Sequence, residues 1–427
     1  MKILFISGEL IAGDLAYKMK KEGHDVKLYT EYEGGGDCFD NMVEKTKNWK
    51  NELQWVGKDG LIVFDDIGYG KEQDELRAAG YTVFGGCEEG DRLEHDREYG
   101  QSIFASHGMK IKESKSFTDP DEAIDYIKKN KCAWVLKQNT HESSLACVGM
   151  VDDGRDIVSV VDNCRKHREM GKISLQKKAD GIEVGTARYF NGYDWTGPIE
   201  MNVEYKSFLN GDIGPLTAEM GTVMWYEERE NKLFNETLSK LKPFLQKIKY
   251  KGDIDINCIV NKDTAIPVEA TMRFGSPAIH AQEEIHKSPW AEFLTAIAKG
   301  EDYDLKYKKG YSIVVSVAVP PFPYKATLNN YLKNVDIIFK EELTEEEKEM
   351  IHFEEAYFDK NKQNYCIGGS EGYILYVTGL GKDINEARNK VYNLIKKIII
   401  PKMMYRTDIG VNFAEKDEKL LREWGWI

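Results

Sequence analysis

Residues 252–275 read GDIDINCIVNKDTAIPVEATMRFG. Asp253, Asp255 and Asn257 alternate with Ile254, Ile256 and Cys258. On a β-strand, with its period of two, the three oxygen-bearing side chains share one face. Polar residues 261–264 make a hairpin turn, and residues 265–271 return as a second strand carrying Glu269 and Thr271 on one face. Neighbouring strands that present oxygen atoms to one volume suit Mg²⁺, which prefers carboxylate, water and phosphate oxygens. Arg273 follows on the same face, available to clamp a carboxylate or a phosphate. The competing reading is a sheet with one wet face.

The flanking sequence points to an α/β protein. Apolar runs at 2–7, 25–30, 60–64 and 82–84 alternate with helical segments near 14–22 and 72–79. Strands alternating with helices imply a parallel sheet, and a Rossmann-like N-terminal domain over 1–92 is expected. A linker helix is expected near 92–107. An α+β region over 93–300 contains a small module at about 110–178. A C-terminal α+β domain covers 301–427, with strands at 311–319 and 372–379 and an amphipathic helix over 387–398.

Bulk composition excludes several classes. The 427 residues carry a formal net charge of -13, so nucleic acid and anionic membrane surfaces are poor partners. The seven cysteines are scattered and form no CxxC pair, which fits a reducing, cytoplasmic setting without a disulfide framework. No apolar run reaches the ~20 residues a membrane helix needs.

Two further features stay open on the residues alone. Gly8 and Gly13 in SGELIAGD form either a plain turn or a phosphate-binding helix entrance. Glu9 and Asp14 would repel an anion there. Lys137 ends the apolar segment AWVLK, either solvated or reaching a cleft to hold phosphate. No Ser–His–Asp or Cys–His constellation stands out.

Several segments together resemble the phosphoribosylamine–glycine ligase family, which has the ATP-grasp fold. GDIGPLTAEMG at 211–221 resembles the family's GDTGPNTGGMG, and PVEATMRFGSP at 267–277 resembles VIEFNARFGDP. VTGLGKDINEARNKVY at 377–392 with YRTDIG at 405–410 resembles the family's C-terminal helix and tail. LRAAGYTVFG at 76–85 and DGIEVGTA at 180–187 add weaker support.

The resemblance implies an ATP-grasp domain preceded by the Rossmann-like (pre-ATP-grasp) domain. It implies an ADP-forming ligase that joins a small-molecule carboxylate, an amino acid, to an amine, with ATP and Mg²⁺ (or Mn²⁺) as cofactors. Lys137 and Glu183 match nucleotide contacts, and Gln176 and Lys206 join them as candidates. Glu269 matches the metal-binding glutamate, with Asp255 and Asn257 as candidate partners. Asp212, Gly214, Pro215, Thr217 and Glu219 lie in the matched substrate loop. Arg273 and Gly275 close the metal strand, and Arg273 and Asp212 are the candidate catalytic residues. A monomer or small homo-oligomer is expected.

Departures from the family pattern point to a changed substrate. The family's lid loop AAGKG stands here as HESSLACVG (141–149), without its lysine. Gln176 and Lys177 replace a glutamate pair, and Thr271 replaces an asparagine. The N-terminal GGREH reads LIAGD, and Gly-Gly of the substrate loop has become Ala218–Glu219. The expectation is that at least one substrate differs from the purine-pathway pair. Genuine phosphoribosylamine–glycine ligation and non-catalytic nucleotide binding are the alternatives.

Overall fold

The structure is a computed structural model that describes residues 1–138, 147–167, 171–324 and 332–427. The chain forms two compact units. One comprises Met1–Asp91, Val184–Ile256 and Thr271–Ile427; the other comprises Arg92–Glu183 and Asn257–Ala270.

The first unit begins with a parallel sheet of β1 (Lys2–Ser7), β2 (Asp25–Thr30), β3 (Glu44–Lys45), β4 (Leu61–Phe64) and β5 (Thr82–Phe84), in the order β3-β2-β1-β4-β5. Ile3–Ile6 and Leu61–Val63 are wholly buried, as expected where both faces of a parallel sheet are covered. The order reverses between β1 and β4. In such sheets the crevice outside the strands' carboxyl ends at that point is the usual ligand site.

The second unit holds an antiparallel sheet of β6 (Ser114–Phe117), β7 (Trp134–Gln138), β8 (Cys147–Val148) and β9 (Ile173–Lys177), in the order β6-β9-β7-β8. Helices Pro120–Lys129 and Arg155–His167 lend Ile124, Ile127, Ile157 and Val161 to one face, against Trp134, Leu136, Ile173 and Leu175. The linker helix of the sequence reading is two helices, Glu88–His95 and Arg97–Ser106. The break falls at Asp96, whose side chain accepts a hydrogen bond from Tyr99 N at 3.1 Å and caps the second helix.

Beyond these come β10 (Ile182–Asn191), β11 (Trp195–Glu204), the hairpin of β12 (Ser207–Leu209) and β13 (Ile213–Leu216), β14 (Gly221–Glu227), β15 (Lys251–Val260), β16 (Ala265–Thr271) and β17 (Tyr311–Ala318). Then follow β18 (Ile338–Phe339), β19 (Ile351–Phe353), β20 (Ala356–Asp359), β21 (Asn364–Ile367) and β22 (Tyr373–Gly381). In the first unit the large sheet runs β15-β10-β11-β14-β17-β22-β19. Helix Ala278–Ile285 packs Ala281 and Ile285 against Met224, Val314 and Tyr376 of that sheet.

The C-terminal helix spans Ile384–Ile395, not 387–398. Asp383 caps it by accepting from Glu386 N at 2.9 Å, so it starts earlier, and Ile398 belongs to a short strand.

Candidate active site

In the first unit the polar row of β15 is buried, not wet. Asp253 is 4% exposed and Asp255 7%. The partner of Asp255 comes from β11, two strands away, and that of Asp253 from helix Ala278–Ile285. Asn202 Nδ2 donates to Asp255 Oδ2 at 2.6 Å. On the intervening β10, Gly185 stands opposite Asn202 and Ala187 opposite Glu200. These small residues let the longer side chains meet above the middle strand.

Gln282 Nε2 donates to Glu200 Oε2 at 2.7 Å and to Asp253 Oδ2 at 3.2 Å, and Tyr189 OH donates to Gln282 Oε1. Burial, reinforced by the neighbouring carboxylates, pushes Glu200 and Asp255 above the usual carboxylate range; burial does the same to Asp253. Asp255 Oδ1 is buried with no hydrogen-bond partner. A buried, under-satisfied carboxylate oxygen in such a group fits a hard divalent cation, which would restore the ionised form.

At the carboxyl ends of β1 and β4 lies a second acidic group. Asp65 is wholly buried, and its Oδ2 accepts from Ala12 N at 2.8 Å. Leu10 N donates to Ser7 Oγ at 2.7 Å, with Leu10 held at φ +64°. Burial first, then the charge of Asp66, raises the Asp65 carboxyl to about 7. Arg273 Nε lies 3.4 Å from Asp66 Oδ1, and Arg273 Nη1 donates to Phe274 O at 3.0 Å. A Cβ at Gly8 would come within 2.8 Å of Asp66 Oδ2, so glycine keeps this approach open. A Cβ at Gly275 would meet Ala278 Cβ at 3.1 Å, at the entry to the helix behind Arg273.

The loop 211–221 is tied to the C-terminal tail. Buried Arg406 donates to Asp212 Oδ1 at 2.7 Å, to both carboxylate oxygens of Asp408 at 2.8 Å, and to Ser207 O at 3.0 Å. Gly211 N donates to Asp408 Oδ2 at 2.8 Å. Gly214, at φ +90°, and Pro215 lie on the exposed β12–β13 hairpin; Thr217 N and Oγ1 both donate to Lys206 O at 2.8 Å. Lys206 Nζ is 2.9 Å from Glu204 Oε2. Glu219 is 4% exposed, so its side chain does not point to solvent.

In the second unit, antiparallel register sets Lys137 opposite Ser174 and Val135 opposite Gln176, with Ser114 and Ser116 next on the same face. This is the face away from the helices, and Lys137 is half-buried on it. Asn257 is buried at 3%, Glu183 is half-buried at the start of β10, and Glu269 Oε2 is 3.9 Å from Arg97 Nη1. Residues 141–146 of the lysine-less loop lie outside the described residues.

The sequence reading missed Glu200, Asn202, Asp65 and Asp66. The first two sit on a strand separated from β15 by some fifty residues of chain, and only sheet order reveals their partnership. Asp65 and Asp66 follow the apolar run at 60–64, and their place just after a parallel strand is the available signal.

Comparison with known proteins agrees with this architecture. The ATP-grasp (A) domain of phosphoribosylglycinamide synthetase matches residues 95–279, and its C domain matches 312–412. The phosphoribosylamine–glycine ligase of Caldanaerobacter subterraneus subsp. tengcongensis is 23% identical over 437 residues, covering 97% of this chain and 100% of the relative. The crystal structure of phosphoribosylamine–glycine ligase from Thermotoga maritima superposes with a TM-score of 0.71 at 18% identity, covering 96% of this chain and 100% of that one. The biotin carboxylase domain of Hydrogenobacter thermophilus 2-oxoglutarate carboxylase, solved with MgADP and bicarbonate, gives 0.65 at 13% identity, covering 99% and 97%. The protein is therefore an ATP-grasp enzyme, a ligase that forms a carbon–nitrogen bond and releases ADP. Within that class, the chain belongs to the phosphoribosylglycinamide synthetase family. No helix among the described residues is long and apolar enough to cross a membrane.

Proposed function

We propose that this ligase activates a small carboxylate, such as an amino acid, and couples it to an amine other than phosphoribosylamine. The carboxylate attacks the γ-phosphorus of ATP, breaking the bond to the bridging oxygen and giving an acyl phosphate and ADP. The amine nitrogen then attacks the acyl carbon, phosphate leaves, and the amine's proton passes to solvent or to a nearby carboxylate. Positioning and electrostatics carry such a reaction, and no side-chain nucleophile is needed.

Lys137 is assigned to the ATP phosphates, with Gln176 and Glu183 as further nucleotide contacts. Asp255, Asn257 and Glu269 are assigned to the divalent cation, Mg²⁺ being the expected ion. When bound, it would neutralise charge on the phosphates. Arg273 is assigned to the carboxylate substrate. The loop from Asp212 through Gly214, Pro215 and Thr217 to Glu219 is assigned to enclosing it.

The observation that carries the altered-amine reading is the acidic pair at the β1/β4 switch point. Asp66, half-buried above the buried Asp65, stands at the crevice where a small ligand is expected, and exposed Glu9 lies in the loop after β1. A sugar phosphate would meet repulsion there, whereas a basic or neutral amine would not. A second reading, ligation of glycine to phosphoribosylamine itself, is favoured by the full-length similarity to those ligases. Phosphate release would be measured with glycine and freshly made phosphoribosylamine, beside a panel of amino acids and amines. Turnover with an amine lacking phosphate is expected. Efficient turnover with the purine pair alone would establish the second reading.

A further inference from the structure

The first unit contains a separate cluster that the ligase chemistry does not use. Asp14 lies in the first turn of helix Gly13–Lys21, His280 and Glu283 sit three apart on helix Ala278–Ile285, and His352 is the middle residue of β19. All are buried, with exposures of 5%, 2%, 2% and 1%. One ligand atom from each lies within 4.8 Å of the other three. His352 Nδ1 is 3.0 Å from Asp14 Oδ2 and 3.8 Å from Glu283 Oε2, and His280 Nδ1 is 3.1 Å from Glu283 Oε1.

We propose that Asp14, His280, Glu283 and His352 form a structural site for a divalent transition-metal ion, Zn²⁺ by preference, that joins the N-terminal helix to β19. Four ligand atoms held ~2.0–2.1 Å from a tetrahedral zinc ion stand about 3.3 Å apart. The pairs named above stand 3.0, 3.1 and 3.8 Å apart and the whole set within 4.8 Å, so binding needs a small contraction and a turn of the His280 and His352 rings out of their stack. Two imidazoles with two carboxylates suit zinc, iron or cobalt rather than magnesium. All four positions come from protein and none is open to solvent, the pattern of a structural site and not a catalytic one.

The surroundings support the assignment. Phe353 N donates to Asp14 Oδ1 at 3.0 Å, leaving Oδ2 for the ion. His352 Nε2 lies 3.1 Å from Thr378 Oγ1. If Nε2 carries the proton and donates it there, the Nδ1 lone pair faces the cluster. Thr378 Oγ1 can in turn donate to Met350 O at 3.3 Å. This is the outer support that metal-binding histidines have. Glu283 Oε2 is buried with no hydrogen-bond partner, and its cationic neighbour is Lys18, whose Nζ pairs with it at 3.8 Å and donates to Glu283 O at 3.2 Å. A divalent ion would balance the two buried carboxylates without protonating either ring.

The test uses the untagged full chain, grown with added Zn²⁺ or with Co²⁺, dialysed against EDTA and analysed for metal by mass spectrometry. About one equivalent per chain is expected to survive. The Co²⁺ form should show the intense visible bands of tetrahedral coordination, and X-ray absorption of the Zn²⁺ form should show imidazole scattering. His280→Gln and His352→Gln should lose the metal, whereas Glu269→Gln, altered at the proposed magnesium site, should keep it. Less than a tenth of an equivalent in every wild-type preparation would overturn the proposal and leave a hydrogen-bonded quartet. So would metal content that survives both histidine changes. The wild-type spectra decide the matter even where a histidine variant does not fold.

Discussion

Two polar regions of this molecule gather different side chains. The face of the β6–β9 sheet away from helices Pro120–Lys129 and Arg155–His167 carries Lys137 among Ser114, Ser116, Ser174 and Gln176, with the Glu98 carboxylate accepting from Ser116 Oγ and pairing with Lys172. The carboxyl ends of β1 and β4 present Asp65 and Asp66, with Arg273 alongside. On the proposed function, the first region meets a nucleotide phosphate and the second meets the amine. That proposal needs one region kept and the other changed, which the fold allows because the two stand on different sheets.

The largest expected effect tests whether the shared chemistry persists. Glu269→Gln should lower Mg²⁺-dependent phosphate release by about 10²–10³-fold, the scale for losing one charge contact to a transition state. The fold should stand, since the ion pair of Glu269 with Arg97 is about a third exposed and contributes little. Circular dichroism checks the second point. Normal turnover at low Mg²⁺ would remove Glu269 from the site.

Next comes Lys137. Lys137→Ala should weaken ATP binding by roughly 1.5–3 kcal/mol in titration calorimetry, the range for charged hydrogen bonds. Unchanged affinity would mean that the β6–β9 face is merely a solvated surface, and the contrast would collapse.

Asp65 tests the acidic half. Its raised carboxyl favours the protonated form in the folded state, so its stabilising contribution is complete below about pH 4, the unfolded value, and fades as pH rises through about 7. Asp65→Asn keeps an oxygen for Ala12 N and removes the titration. Denaturant unfolding should therefore show the variant gaining on wild type between pH 4 and pH 8, by roughly 3–4 kcal/mol at the upper end. A difference that stays flat with pH would show that Asp65 is ionised throughout.

Much of this was legible in the sequence, and the reason is local. The alternation of Asp253, Asp255 and Asn257 with apolar residues fixes a strand face without any knowledge of neighbours. The parallel strands of the N-terminal sheet are short apolar runs bounded by turns. What escaped depends on distant contacts. Glu200 and Asn202 become partners of β15 only because Gly185 and Ala187 stand between them. The His280–Glu283 pair looks like ordinary helix polarity until Asp14 and His352, 338 residues apart, arrive beside it. Burial was also misjudged. A row of carboxylates suggests water, yet Gln282 and Asn202 supply the hydrogen bonds that allow the row to be enclosed.

The smallest expected effect concerns Asp212. The family resemblance puts it in the substrate loop, while the geometry ties it to Arg406, a residue 1% exposed. Arg406 is bound on its other side by both oxygens of Asp408 and by Ser207 O. Removing Asp212 would leave that guanidinium still paired. Asp212 itself is 63% exposed, so the pair it makes is worth at most about 1 kcal/mol. If positioning the loop is its whole task, Asp212→Ala should shift the unfolding midpoint by a few degrees at most. It should change kcat less than tenfold, and Asp212→Asn should recover most of the loss. If instead its carboxylate meets substrate, both variants should fail alike, with kcat/KM down by 10²-fold or more. Steady-state kinetics of the two variants, run beside Arg406→Met, separates the cases. Loss through Arg406→Met but not through Asp212→Ala would assign the loop's geometry to the tail, through Arg406 and Asp408.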